Sequence, residues 1–158
     1  MLLGGGTGDF IRLLQQYPAM IAKYQHRPLA KPVIIVIDND SGASGIFKML
    51  KNIFGTAVTH TSKADFYKIY ENLYLVKTPE SNTDGHSAIE DFFDSSVTAR
   101  LISGKPFDRN KDHGDSSSYG KQVFAEKVVK PEMGTIDFSK FSPLLERIGN
   151  AIDHHASR

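Results

Sequence analysis

The sequence predicts an α/β layered domain built on a parallel sheet, and three observations carry that prediction. Residues 32–42, "PVIIVIDNDSG", hold five aliphatic residues from Val33 to Ile37 with no polar alternation. Such a strand is expected to be covered on both faces, like the central strand of a parallel sheet. A second strand candidate, "NLYLVKTP", is closed by Pro79. Segments with apolar residues at helical spacing alternate with these strands.

Each element follows from its residues. "LLGGG" enters a glycine turn as a strand does, though it is short for one. From Asp9 to Tyr24, the residues Phe10, Leu13, Leu14, Met20, Ile21 and Tyr24 follow helical spacing, with Pro18 expected to break or restart the helix. "HRPLAKP" is a turn that delivers the chain to Val33. "SGASGIFKMLKNIFG" predicts a glycine-rich turn and a helix with Ile46, Met49, Leu50 and Ile53 on one face, stopped by Gly55. "ESNTDGHS" is a polar loop, and "AIEDFF" opens a short helix. The stretch 103–120, "SGKPFDRNKDHGDSSSYG", is rich in turn formers and charges and predicts a long exposed loop. A helix over 121–129 follows. The last helix has Ser142 as its N-cap and Pro143 at its first position.

Composition narrows the function. With 158 residues the chain can bury a real core as one domain. Its 19 basic and 18 acidic residues give a net charge of +1, so any polyanion site must be a local patch. The absence of cysteine removes disulfides, thiol nucleophiles and thiolate metal sites. No apolar run approaches the ~20 residues of a membrane span, and the start lacks the pattern of a signal peptide. A soluble, cytoplasmic protein that does not engage the membrane is the expectation.

Asp38 and Asp40 are the strongest chemical signal. They follow a buried strand, where open α/β sheets place their ligands. Side chains two apart on an extended segment share a face, so the two carboxylates can converge on a cation. Hard carboxylates without cysteine or clustered histidine suit Mg²⁺ or Mn²⁺. The simpler alternative is that they cap the following helix. Ser41, Gly42 and Ser44 beside them read as capping residues, or as contacts to substrate or metal-bound water.

"VIIVIDNDSGASGIFKML" resembles the Asp-x-Asp segment of a Toprim domain, the magnesium-binding fold of topoisomerases, primases and overcoming-lysogenization-defect nucleases. More narrowly, the chain resembles the Toprim-like C-terminal region of certain retron-type reverse transcriptases. "LLGGGTGDF", "AIEDFF", "YGKQVFAEKVV" and "IDFSKFSPLLERI" occur in the expected order. The resemblance implies a Toprim-like (Rossmann-like) small parallel sheet flanked by helices in a single domain over residues 1–158. It also implies metal-assisted phosphodiester cleavage, DNA or RNA as partner, a reverse transcriptase domain in the same polypeptide, and a role in phage defence. By the same resemblance Glu90 and Asp91 help hold a second metal, and Lys121 supports the transition state, with Lys127 as fallback. Read locally, Glu90 and Asp91 are first-turn helix acids and Lys121 is a solvated lysine. One element departs from the pattern: nothing before Gly4 matches the first Toprim strand and its glutamate. The chain is therefore expected to be a truncated fragment, weak as a nuclease alone and open to self-association.

Two rival readings accompany this one. A phosphoacceptor receiver-like domain needs a lone aspartate on a separate central strand, and "NLYLVKTP" supplies none. A catalytically degenerate Toprim fold would instead dock the reverse transcriptase or its RNA–DNA product. His154 and His155 read as a frayed polar terminus, and His86 and His113 stay unassigned.

Overall fold

The computed structural model describes residues 7–80, 85–110 and 116–158, and it is a mixed α/β structure. The "LLGGG" segment and much of the polar loop at 81–84 lie outside these residues. Two compact units divide the chain: residues 1–88 with 143–158, and residues 89–142.

In the first unit, α1 (Thr7–Ile21) and α2 (Ser44–Phe54) accompany three strands among the described residues: β1 (Val33–Ile37), β2 (Tyr67–Tyr70) and β3 (Leu73–Lys77). The order is β1-β3-β2, with β1 parallel and β2 antiparallel to β3, in register from Val33 beside Leu73 to Ile37 beside Lys77. The sheet is therefore mixed rather than wholly parallel. A tight turn at Glu71 and Asn72 folds β2 directly back onto β3, which fixes them as antiparallel neighbours.

β1 does not hold the central place that its apolar run suggested. It lies at one side of the three-strand order, with only Ile35 and Ile37 buried and Val33 and Val36 exposed. β3 is buried at all five positions because it pairs on both sides and is covered on both faces. An apolar run permits double-sided burial without enforcing it. Leu73 and Leu75 belong to the core formed with Leu13, Leu14 and Tyr17 of α1 and Ile46, Phe47 and Leu50 of α2. Burial of each such aliphatic side chain contributes about 1.5–3 kcal/mol. α1 runs through Pro18 without a break, since its buried stripe outweighs the one backbone bond that proline removes. Gly55 ends α2 at φ 68°, a left-handed conformation that suits glycine.

The last helix, which we call α6 (Ser142–Ala156), buries Leu144 and Ala151. It is not frayed: His154 and His155 both approach the Tyr74 hydroxyl at 3.2 Å, and His155 Nε2 lies 2.7 Å from the Leu29 carbonyl. No described helix is long and apolar enough to cross a membrane.

The second unit contains a 3₁₀ turn at Ile89–Phe92, α3 (Ser95–Thr98), α4 (Lys121–Phe124), a wide helical turn at Ala125–Val129 and α5 (Lys130–Glu132). Its core is aromatic. Phe107 stacks on Phe124 at 4.4 Å, and Phe93 meets Phe124 and Phe141 edge-on. The loop expected to be exposed throughout is anchored at both described ends. Phe107 and Tyr119 form a bridge, and Tyr119 is buried with its hydroxyl bonded to the Arg100 carbonyl.

Candidate functional site

Beyond Ile37 the chain stays extended and remains tied to the continuation of β3. The Thr78 amide donates to the Ile37 carbonyl at 3.0 Å, and the Asn39 amide donates to Thr78 Oγ1 at 2.9 Å. Alternation along this extension turns Asn39 fully inward and leaves Asp38 and Asp40 half-buried. Both acids thus follow the carboxyl end of the parallel β1–β3 pair. Asp40 also caps: its Oδ1 accepts the Gly42 amide at 2.8 Å and opens the 3₁₀ turn Ser41–Ala43. Two strand-end carboxylates fit Mg²⁺, which commonly takes one or two protein carboxylates and keeps several waters. Among the described residues, no three acids, histidines or cysteines form a metal-holding group.

Around these acids lies a set of groups that sequence reasoning missed. Lys77, the last residue of β3, is completely buried. Its Nζ donates to the carbonyls of His60 (2.7 Å) and Thr59 (3.2 Å) and pairs with Glu80 at 2.8 Å. Arg147 of α6 holds Glu80 from the other side at 3.1 Å and donates to the Lys77 carbonyl. Burial alone raises the pKa of Glu80, but the bonds from Lys77, its own backbone amide and Arg147 outweigh it and hold the carboxyl below its ordinary range.

His60 sits beside this network. Its Nε2 lies 3.1 Å from Ser44 Oγ and its Nδ1 lies 3.3 Å from Asn39 Oδ1. The His86 ring stacks on it at 4.5 Å, and Phe47 meets it edge-on. Burial first, then the charges of His86 and Lys77, push His60 below its ordinary value of 6.5, while Asp40 pulls it upward. Lys77 left a trace in the sequence, a charge closing an apolar strand. His60 left none, because its partners stand 16 and 21 residues away.

The other candidates lie in the second unit. Glu90 is buried in the 3₁₀ turn, and Lys121 pairs with it at 2.9 Å. Asp91 is bound by Arg109. A cleft of about 580 Å³ is lined by Glu90, Asp91, Phe93, Phe107, Asp108 and Arg109. The structure therefore brings Glu90 and Lys121 together directly, and Asp91 beside them in sequence carries its own cation. Lys127 lies exposed on the helical turn after α4. No protein-family model matches this chain, and no solved structure matches it.

Proposed function

We propose that this chain is a Toprim-like, Mg²⁺-dependent phosphodiester-cleaving module of a retron-type reverse transcriptase, acting on nucleic acid in phage defence. The observation that carries the reading is the position of Asp38 and Asp40 after the parallel β1–β3 pair, where α/β sheets bind ligands. In this reading the two carboxylates hold the metal, which supplies positive charge to the phosphoryl oxygens when bound. Within the second unit, Lys121, which pairs with Glu90, offers a cation of the kind that balances transition-state charge.

The test combines binding and cleavage. Mn²⁺ added to the protein should shift the amide signals of residues 38–42, and Mg²⁺ should support cleavage of a DNA or RNA strand. Asp38→Ala should remove both while the rest of the amide spectrum persists. Unchanged signals at millimolar metal would sink the proposal.

A second reading rests on one observation: Glu90 and Asp91 each hold a cationic side chain. Residues so engaged suit a binding module that docks nucleic acid or the reverse transcriptase without cutting. Retention of a labelled strand by wild type and Asp38→Ala alike, with no cleavage by either, is its signature.

A further inference from the structure

Asn39 is locked. Its Nδ2 group donates to the carbonyls of His60 (2.9 Å) and Gly85, so the amide oxygen must be the atom that faces His60 Nδ1. An acceptor at that position requires the proton of a neutral imidazole to sit on Nδ1. Nε2 then carries the lone pair, and the atom 3.1 Å from it is the Ser44 hydroxyl. The ring is held in this orientation by the His86 ring on one face and the Phe47 edge. The groups facing it are Ser44 and Phe47 of α2, Asn39 and Asp40 beyond β1, Lys77 of β3, and His86. Hydroxyl, imidazole and a third group that fixes the tautomer make up the arrangement by which a serine is activated as a nucleophile, and its bonds are commonly long before substrate binds.

We propose that Ser44 is an activated nucleophile, with His60 as its general base and Asn39 as the residue that positions His60. The electrophile is the phosphorus of a nucleic-acid phosphodiester. That assignment of substrate rests on the function proposed above, while the Ser44–His60–Asn39 arrangement does not. As the Ser44 Oγ–phosphorus bond forms, the hydroxyl proton passes to His60 Nε2. As the bond from phosphorus to the leaving sugar oxygen breaks, His60 returns that proton to the departing oxygen. The products are a seryl phosphodiester and a free sugar hydroxyl, and the reverse of these steps rejoins the strand.

An alkyl fluorophosphonate, applied to the 158-residue chain in metal-free buffer, tests the nucleophile without nucleic acid or cation. Attack by Ser44 expels fluoride and leaves an adduct that peptide mass spectrometry locates. The expected result is labelling at Ser44 ahead of every other serine, slowed about 100-fold or more by His60→Ala. Labelling of Ser44 no faster than surface serines overturns the proposal, and so does an unchanged rate in a folded His60→Ala variant. Should that variant not fold, ¹⁵N spectra of the unmodified protein decide. A protonated Nδ1 with a bare Nε2 on His60 is required, and the opposite tautomer refutes the arrangement. A chain that labels at Ser44 but never cleaves nucleic acid defeats the nuclease reading alone. One that cleaves through Asp38 but never labels defeats this inference alone.

Discussion

The first unit is organised by a strand buried at all five positions, whereas residues 89–142 contain no regular strand among those described and are held by phenylalanine rings. The consequence for polar groups is direct. At the end of β3 the sheet offers fixed backbone partners, so Asn39, Lys77 and Thr78 can be fully buried with their hydrogen bonds made. In the aromatic unit the candidate groups are served by ion pairs: Lys121 reaches Glu90, and Arg109 reaches Asp91. A buried lysine is seldom the cheapest way to build a core, because desolvation can exceed the Coulombic gain. Its place beside His60 and Glu80 suits a site where charge is needed.

The largest effect expected is on the aromatic side. Phe124→Ala removes a nearly fully buried ring that touches both Phe93 and Phe107. Such a truncation costs about 3–5 kcal/mol. Denaturant unfolding followed through amide signals of residues 89–142 measures it. A loss below about 1 kcal/mol would mean that the rings are not the core of that unit.

Next is the strand-end network. Glu80→Gln leaves Lys77 buried with no carboxylate, and breaking a buried ion pair in this way costs about 3 kcal/mol. A near-neutral result at pH 7 would place Lys77 in the same class as a surface lysine.

The pH dependence sharpens the same comparison, and its sign follows from the shifts. Glu80 has a depressed pKa in the fold, so its stabilising contribution is present above its ordinary value of 4.5 and is lost as pH falls through the lower folded value. His60 is also depressed, so the unfolded chain takes up a proton first as pH drops below 6.5. Stability should therefore decline in two stages on acidification. The lower stage should shrink in Glu80→Gln, and the upper one in His60→Ala.

How much of this was legible in the sequence depended on distance along the chain. α2 and its Gly55 stop, the strand Leu73–Lys77 and the Ser142 helix were readable because their signals are local. β2 was missed, since "YKIY" is four residues long with one buried position and a bulge opposite β3. The ranking of β1 over β3 failed for a related reason. Val33–Ile37 is the more apolar segment, yet pairing on both sides decides which strand is central, and a tyrosine and a lysine are accommodated in β3 by partners from elsewhere. Asp38 and Asp40 were legible as strand-end acids. The groups around them were not: Asn39 meets Gly85 across 46 positions, and Lys77 meets His60 across 17. No periodicity within a segment encodes such pairs.

The smallest effect is expected where charges meet in water. Arg100 and Glu132 approach at 3.0 Å, but the arginine side chain is 56% exposed and the glutamate 35%. Two long side chains must be ordered to hold that contact, and solvent screens the attraction, so exposed pairs contribute about 0.2–1 kcal/mol. A double-mutant cycle of Arg100→Ala and Glu132→Ala should give a coupling energy in that range, falling further in 0.5 M salt, a concentration on the order of those that shorten screening to a few ångströms. The buried Lys77–Glu80 pair, measured alongside, should keep most of its coupling at the same salt because little water reaches the lysine. Equal salt sensitivity of the two pairs would erase the distinction between the sheltered Lys77–Glu80 pair and the exposed Arg100–Glu132 pair.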